Sequence, residues 1–320
     1  MPPLARRDVR NLVRKLGADA GPSQQRQALS EIARLSICGG DRDSLVALAA
    51  TGAIPPLVHL LGPSSRDDVR DVAASALSNL AKTDENAGVI AAAGAIPQLV
   101  LLLVPASTVE VQRSATATLR NIAFNNTVAS AAIAEAGAVV PLVRLLRREF
   151  TAAVQENAAA ALNNLAANND VIAAAIVAAG GIPRLVQLLG AGSPAHVQNK
   201  AAGSLSILAQ NAENAATIAA TAIPQLVQLL WPSSGAPLQE NTAAVLCNLA
   251  FHADNAVTIA AAGAMPALVE MMVSGTEANT KCIASQTLLV LGENNAANRA
   301  AGATLLQERM RVHGLPTHPS

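Results

Sequence analysis

The chain has 320 residues in which 22 Lys plus Arg balance 22 Asp plus Glu, so no global charge pulls it toward nucleic acid or an anionic membrane. Apolar residues make up 51% but aromatics only 1%, with Tyr absent, so the core has to be built from many small contacts instead of large anchors. Cys38, Cys247 and Cys282 are scattered and odd in number, which argues against a disulfide frame or a metal site and fits buried, reduced thiols at a cytosolic or nuclear address.

The chain opens on MPPLARRDVRNLVRKLG, basic enough to be taken for a transit peptide, although Asp8 opposes that. Within it LVRKLG, from Leu12, aligns with LVHLLG, from Leu57. The segment therefore reads as the second helix of a truncated first repeat, its charges solvating an end that has no neighbour. From Gly52 the stretch GAIPPLVHLL begins to recur, as GAIPQLVLLL from Gly94, GAVVPLVRLL from Gly137, GGIPRLVQLL from Gly180, TAIPQLVQLL from Thr221 and GAMPALVEMM from Gly263. The prolines at 55, 97, 141, 183, 224 and 266 are spaced by 42, 44, 42, 41 and 42 residues. A period of roughly 40 residues is the signature of a stacked repeat array.

Each copy reads as helix, sharp turn, helix. Gly at a helix end accepts the left-handed conformation that a Cβ penalises, and Pro suits the first turn of the next helix. LVxLL then supplies a broad apolar helical face. Some two dozen residues on comes a second motif: SALSNLA at Ser75, ATLRNIA at Ala117, AALNNLA at Ala160, GSLSILA at Gly203 and AVLCNLA at Ala244, with QALSEIA at Gln27 and QTLLVLG at Gln286 as worn versions. Small residues there let helices approach closely. A further short helix, such as NAGVIAAAG from Asn86, starts at Asn, Asp or Thr, which suits an N-cap.

Residues 88–109 carry no charge, a length that could span a bilayer. Gly94 and Pro97 break that stretch, and the corresponding segments carry His59, Arg144 and Arg184, so a buried helix pair is expected and no membrane insertion. The sequon at Asn125 is read as an inter-helix turn. Trp231 falls in a loop, and the last copy fades into a C-terminal capping helix and the loose tail LPTHPS. The expected organisation is one array: a truncated capping repeat over 1–40, six repeats over 41–292, and a cap and tail over 293–320.

Three helices in about 42 residues, with GAIPxLVxLL and ALxNLA in those places, resemble the armadillo repeat. HEAT repeats are of similar length but usually have two helices and lack the Gly-Ala-Ile-Pro turn. The resemblance covers nearly the whole chain and implies an all-α, right-handed solenoid of about seven repeats. It also implies a concave groove lined by the ALxNLA helices, where family members use a ladder of Asn side chains to hold an extended peptide by its backbone. The series in this chain is Glu31, Asn79, Asn121, Asn164, Ile207, Asn248 and Val290. A carboxamide offers a donor and an acceptor to a peptide unit whatever the ligand's side chains. The same Asn residues have a second reading, as ties to neighbouring repeats, and both stay open at this point.

Asn79, Asn121 and Asn164 run unbroken, with Ser75 on the same face, whereas Ile207 interrupts the series before Asn248. The main site is therefore expected in the N-terminal half. One turn before Ser75 and its equivalents lie Asp71, Arg113, Glu156, Asn199 and Glu240, a row that leans acidic and favours a partner with some basic character. Importin-alpha carries Trp four residues before most of these Asn; this chain has Ser75, Ala117, Ala160, Gly203 and Ala244 there, and no importin-beta-binding arm is read at its start. Recognition of nuclear localisation signals is not expected. Plant U-box ligases carry similar Ala- and Leu-rich arrays, but no U-box is read in this sequence.

Catalytic motifs are missing. His59, His196, His252, His313 and His318 have no ligand-like spacing, and Asp67-Asp68 and Asp84-Glu85 read as solvated caps. No enzyme, cofactor or metal is expected. The leading expectation is a scaffold or adaptor that grips an extended segment of a protein partner, as a monomer or weak homo-oligomer. The alternatives are a self-associating structural repeat protein and a nuclear-import-type adaptor.

Overall fold

The structure is a computed structural model that describes residues 6–17, 21–38, 41–275, 277–293 and 295–313. Among these residues the regular elements are helices, with no strand. The tail LPTHPS and His318 lie outside them. The chain divides into two compact units, Met1–Ala175 and Ile176–Ser320.

The first unit opens with α1 (Arg6–Arg14) and α2 (Pro22–Cys38). Triplets follow: α3 (Arg42–Ala49), α4 (Ile54–His59) and α5 (Asp67–Leu80), then α6 (Asp84–Ala92), α7 (Ala95–Leu101) and α8 (Val109–Ala123). The next is α9 (Thr127–Glu135), α10 (Val139–Arg144) and α11 (Ala152–Ala166), and the unit boundary falls within α12 (Asp170–Ala178). The sequence explains these boundaries residue by residue. Asp41, Thr83 and Asn126 cap the short helices, each side chain accepting from the backbone N–H three residues on, at Ser44, Asn86 and Ala129. Gly52, Gly94 and Gly137 hold φ of +87°, +80° and +83°, which turns the chain sharply into the next helix.

The long helices α2, α5, α8 and α11 pack in sequence, each on the next. They stack closely because Ala73, Ala115 and Ala158, one per repeat, are wholly buried and present only a methyl group. Leu77, Leu119 and Leu162 lie one turn on, also buried. Burying each such Leu contributes about 1.5–3 kcal/mol. The uncharged stretch at 88–109 covers the second half of α6, all of α7 and the first residue of α8, broken at Gly94. No single helix of the described residues is long and apolar enough to cross a membrane.

In the second unit α13 (Gly181–Leu188) leads to α14 (Ala195–Leu208), then α15 (Ala212–Leu229) to α16 (Ala236–Ala250). They are followed by α17 (Ala253–Ala261), α18 (Ala264–Ser274), α19 (Ala278–Glu293) and α20 (Ala296–Val312). α14 packs on α16 and α16 on α19, while α20 packs on α18 and α19. One triplet departs from the pattern. IAATAIP at Ile218 is one residue shorter than IAAAGAIP at Ile90, and the missing residue is the turn glycine. Without a left-handed residue the chain does not turn, so α15 runs as one 18-residue helix with Pro224 inside it. The spacing of 41 is the mark of that deletion.

Candidate functional site

Each long helix turns one side neither to the core nor fully to solvent. In the first unit that half-buried side carries Asp71, Ser75 and Asn79 on α5, Arg113, Arg120 and Asn121 on α8, and Glu156 and Asn164 on α11. In the second it carries Asn199 and Ile207 on α14, and Glu240 and Asn248 on α16. Within each unit the residues predicted to share a face therefore do so.

The Asn series has a geometry of its own. Asn121 Nδ2 donates to the Ser78 carbonyl at 2.8 Å, Asn164 Nδ2 to the Arg120 carbonyl at 2.9 Å, and Asn248 Nδ2 to the Ser206 carbonyl at 2.8 Å. Each accepting carbonyl sits in the last turn of the preceding long helix, where backbone oxygens have no intrahelical partner. Each Asn thus caps its neighbour's C-terminus across the repeat boundary. Asn79 reaches only a side chain, Ser36 Oγ at 3.3 Å, although Ser36, like Ser78 and Ser206, lies two residues before the end of its helix.

A carboxamide has two N–H groups and an acceptor oxygen, and the cross-repeat bond takes one N–H. At Asn79, Asn164 and Asn248 no described residue takes the oxygen. Asn121 is different. Its Oδ1 accepts from both Nε and Nη2 of Arg120, at 3.1 and 3.0 Å.

The row one turn before Ser75 is also used internally. Asp71 accepts from Ser114 Oγ at 2.6 Å and lies 3.8 Å from the Arg113 guanidinium. Asn199 Oδ1 accepts from Asn241 Nδ2 at 2.7 Å, and Glu240 accepts from Thr280 Oγ1 at 2.7 Å. These bonds join one long helix to the next within each unit. Ser75 makes no side-chain hydrogen bond with a described residue, and Ile207, an apolar side chain, offers none.

Sequence reasoning missed Arg120, although ATLRNIA displays it beside Asn121. It also missed a buried series: Gln112, Gln155, Gln198 and Gln239 each donate Nε2 back to a carbonyl of the preceding loop, at Val104, Arg147, Leu189 and Leu230. In the first triplet Arg70 does the same toward Gly62 and Pro63. The signal was a Gln two residues before each Ser, Asn, Lys or Asn of the long helix, at the repeat period. Among the described residues no three His, Cys, Asp or Glu side chains cluster as a metal site.

Comparison with curated proteins gave no match. Among solved structures, an engineered protein of the Northeast Structural Genomics Consortium superposes with a TM-score of 0.83 at 31% identity, covering 95% of this chain and 74% of its own. A designed armadillo repeat protein gives 0.61 at 27% identity, covering 88% and 99%. Another, solved in complex with the peptide (KR)4, gives 0.66 at 29% identity, covering 76% and 99%. Residues 8–308 match the sequence model of the plant U-box protein ARM repeat region, and with its triplets, turn glycines and ladder of Asn the chain belongs to that armadillo-repeat family.

Proposed function

We propose that the chain is a protein-interaction scaffold that holds an extended segment of a partner along the side formed by α5, α8 and α11. The observation that carries this reading is the register of Asn79, Asn121 and Asn164, half-buried at the same level of successive helices. A peptide unit asks for one donor and one acceptor, and the carboxamides of Asn79 and Asn164 retain both after their cross-repeat bonds. The complex of a designed relative with a peptide supports the same use of this fold. A partner of basic character rested on Asp71, Glu156 and Glu240; two of these already accept from Ser114 and Thr280, so the reading does not require it.

The test is selection of short random peptides on the immobilised protein, followed by size-exclusion chromatography with light scattering. A monomer that binds selected peptides one to one, less tightly as Asn164→Ala, is the expected result. Concentration-dependent assembly without peptide binding would favour a self-associating structural protein instead.

A further inference from the structure

Arg120 is out of place on a floor of neutral amides. It lies in the last turn of α8, half-buried, between Asn121 and Asn164. Of the three arginines on α5 and α8, Arg70 is bonded to Asp67 at 2.8 Å and Arg113 stands 3.8 Å from Asp71. Arg120 has no carboxylate within ion-pair distance among the described residues. Its bonds go to carboxamide oxygens: Nε and Nη2 to Asn121 Oδ1, and Nη1 to Asn157 Oδ1 at 2.7 Å.

A guanidinium has five N–H donors, so two remain. Desolvation pushes the Arg120 guanidinium down from its ordinary value, and the charge of Glu156 only partly offsets it. Taking a charge from water without a carboxylate in contact is costly, whereas a carboxylate in bidentate contact with Arg restores the loss with geometry that amide oxygens cannot match. The Asn121–Arg120 pair is thus a rung already filled, and its filling is a cation.

Resting on the proposed peptide-binding function, we infer that the first unit reads one acidic side chain in its ligand: an Asp or Glu of the extended segment takes Arg120, and Asn121 Oδ1 is then released to the ligand's backbone. The site thereby differs from a uniform Asn ladder, which is blind to side chains. Selectivity enters at one position, and the partner is a segment with a carboxylate at a fixed place.

The experiment uses peptides selected from a short random library on the wild-type chain, and the same selection on Arg120→Gln. The expected result is enrichment of Asp or Glu at one position with the wild type, lost with Arg120→Gln. A selected peptide with that acid changed to its amide should bind the wild type roughly tenfold more weakly, and Arg120→Gln should no longer distinguish the two peptides. The peptide-side change keeps the test valid if Arg120→Gln folds poorly. Enriched peptides without an acidic position, or an acidic preference unchanged in Arg120→Gln, would overturn this inference while leaving the scaffold reading intact so long as binding still weakens in Asn164→Ala. Absence of any peptide sensitive to Asn164→Ala would overturn both.

Discussion

The buried glutamines supply the most exacting test of how each repeat is held. Gln155 on α11 is 6% exposed, and its Nε2 donates to the Arg147 carbonyl at 2.8 Å, pinning the loop from α10 to the long helix. Gln155→Leu keeps most of the volume and removes the donor. The lost bond is worth about 0.5–1.5 kcal/mol net, and about 1–3 kcal/mol if the carbonyl stays buried and unpaired. A value near 1–2 kcal/mol corresponds to roughly 2–8 °C in Tm for a unit of this size. Thermal and urea unfolding followed by far-ultraviolet circular dichroism would measure it. Because Arg70 makes the equivalent tie to Gly62 and Pro63, Gln155→Arg should lose less than Gln155→Leu. If Gln155→Leu unfolds at the wild-type midpoint, water replaces the bond freely and the glutamine series does not hold the loops.

Three further outcomes follow from the same geometry. Gly94 sits at φ +80° with open space where a Cβ would go, so Gly94→Ala should cost about 1 kcal/mol from backbone strain alone; a melting curve identical to wild type would refute this. The expectation of three buried thiols holds for Cys247, where burial pushes the thiol up, but Cys38 and Cys282 are exposed, so an alkylating reagent near neutral pH should modify those two in the folded protein and Cys247 only on unfolding. Mass spectrometry that found Cys247 modified first would contradict the packing of α16. The backbone N–H of Ser44 holds the Asp41 carboxyl below the usual carboxylate range, so this cap stabilises α3 above the unfolded-state value and is lost as pH falls through the lower folded one. Acid titration by nuclear magnetic resonance should show Asp41 protonating below Asp in an unfolded reference peptide, and an ordinary or raised midpoint would remove the cap.

Most of the fold was legible because each repeat writes its instructions locally. Turn glycines at 52, 94, 137, 180 and 263, caps at Asp41, Thr83 and Asn126, and the missing residue before Ala222 all act within a few positions of themselves. What escaped was the set of bonds between repeats. That Asp71 meets Ser114, Asn199 meets Asn241 and Glu240 meets Thr280 depends on how two long helices superpose, and no single helix displays it. For the same reason the two readings of the Asn series proved compatible: one N–H serves the neighbouring helix and the rest of the amide is left over. The first copy misled for a different cause. QALSEIA matches in sequence, but α2 runs on past Glu31, which pairs with Arg34, and Asn79 finds Ser36.

Whether the Asn ladder of the first unit grips a ligand backbone is tested most directly by the pair Asn164 and Asn248. Each donates an equivalent cross-repeat bond, at 2.9 and 2.8 Å, so the two alanine variants carry matched losses of stability. Asn121 is the poorer probe, since Arg120 already holds its oxygen. Titration calorimetry of one selected peptide against both variants should show Asn164→Ala weakening binding by roughly 0.5–1.5 kcal/mol, and Asn248→Ala by less. A larger loss from Asn248→Ala, or no loss from either, would contradict such a grip.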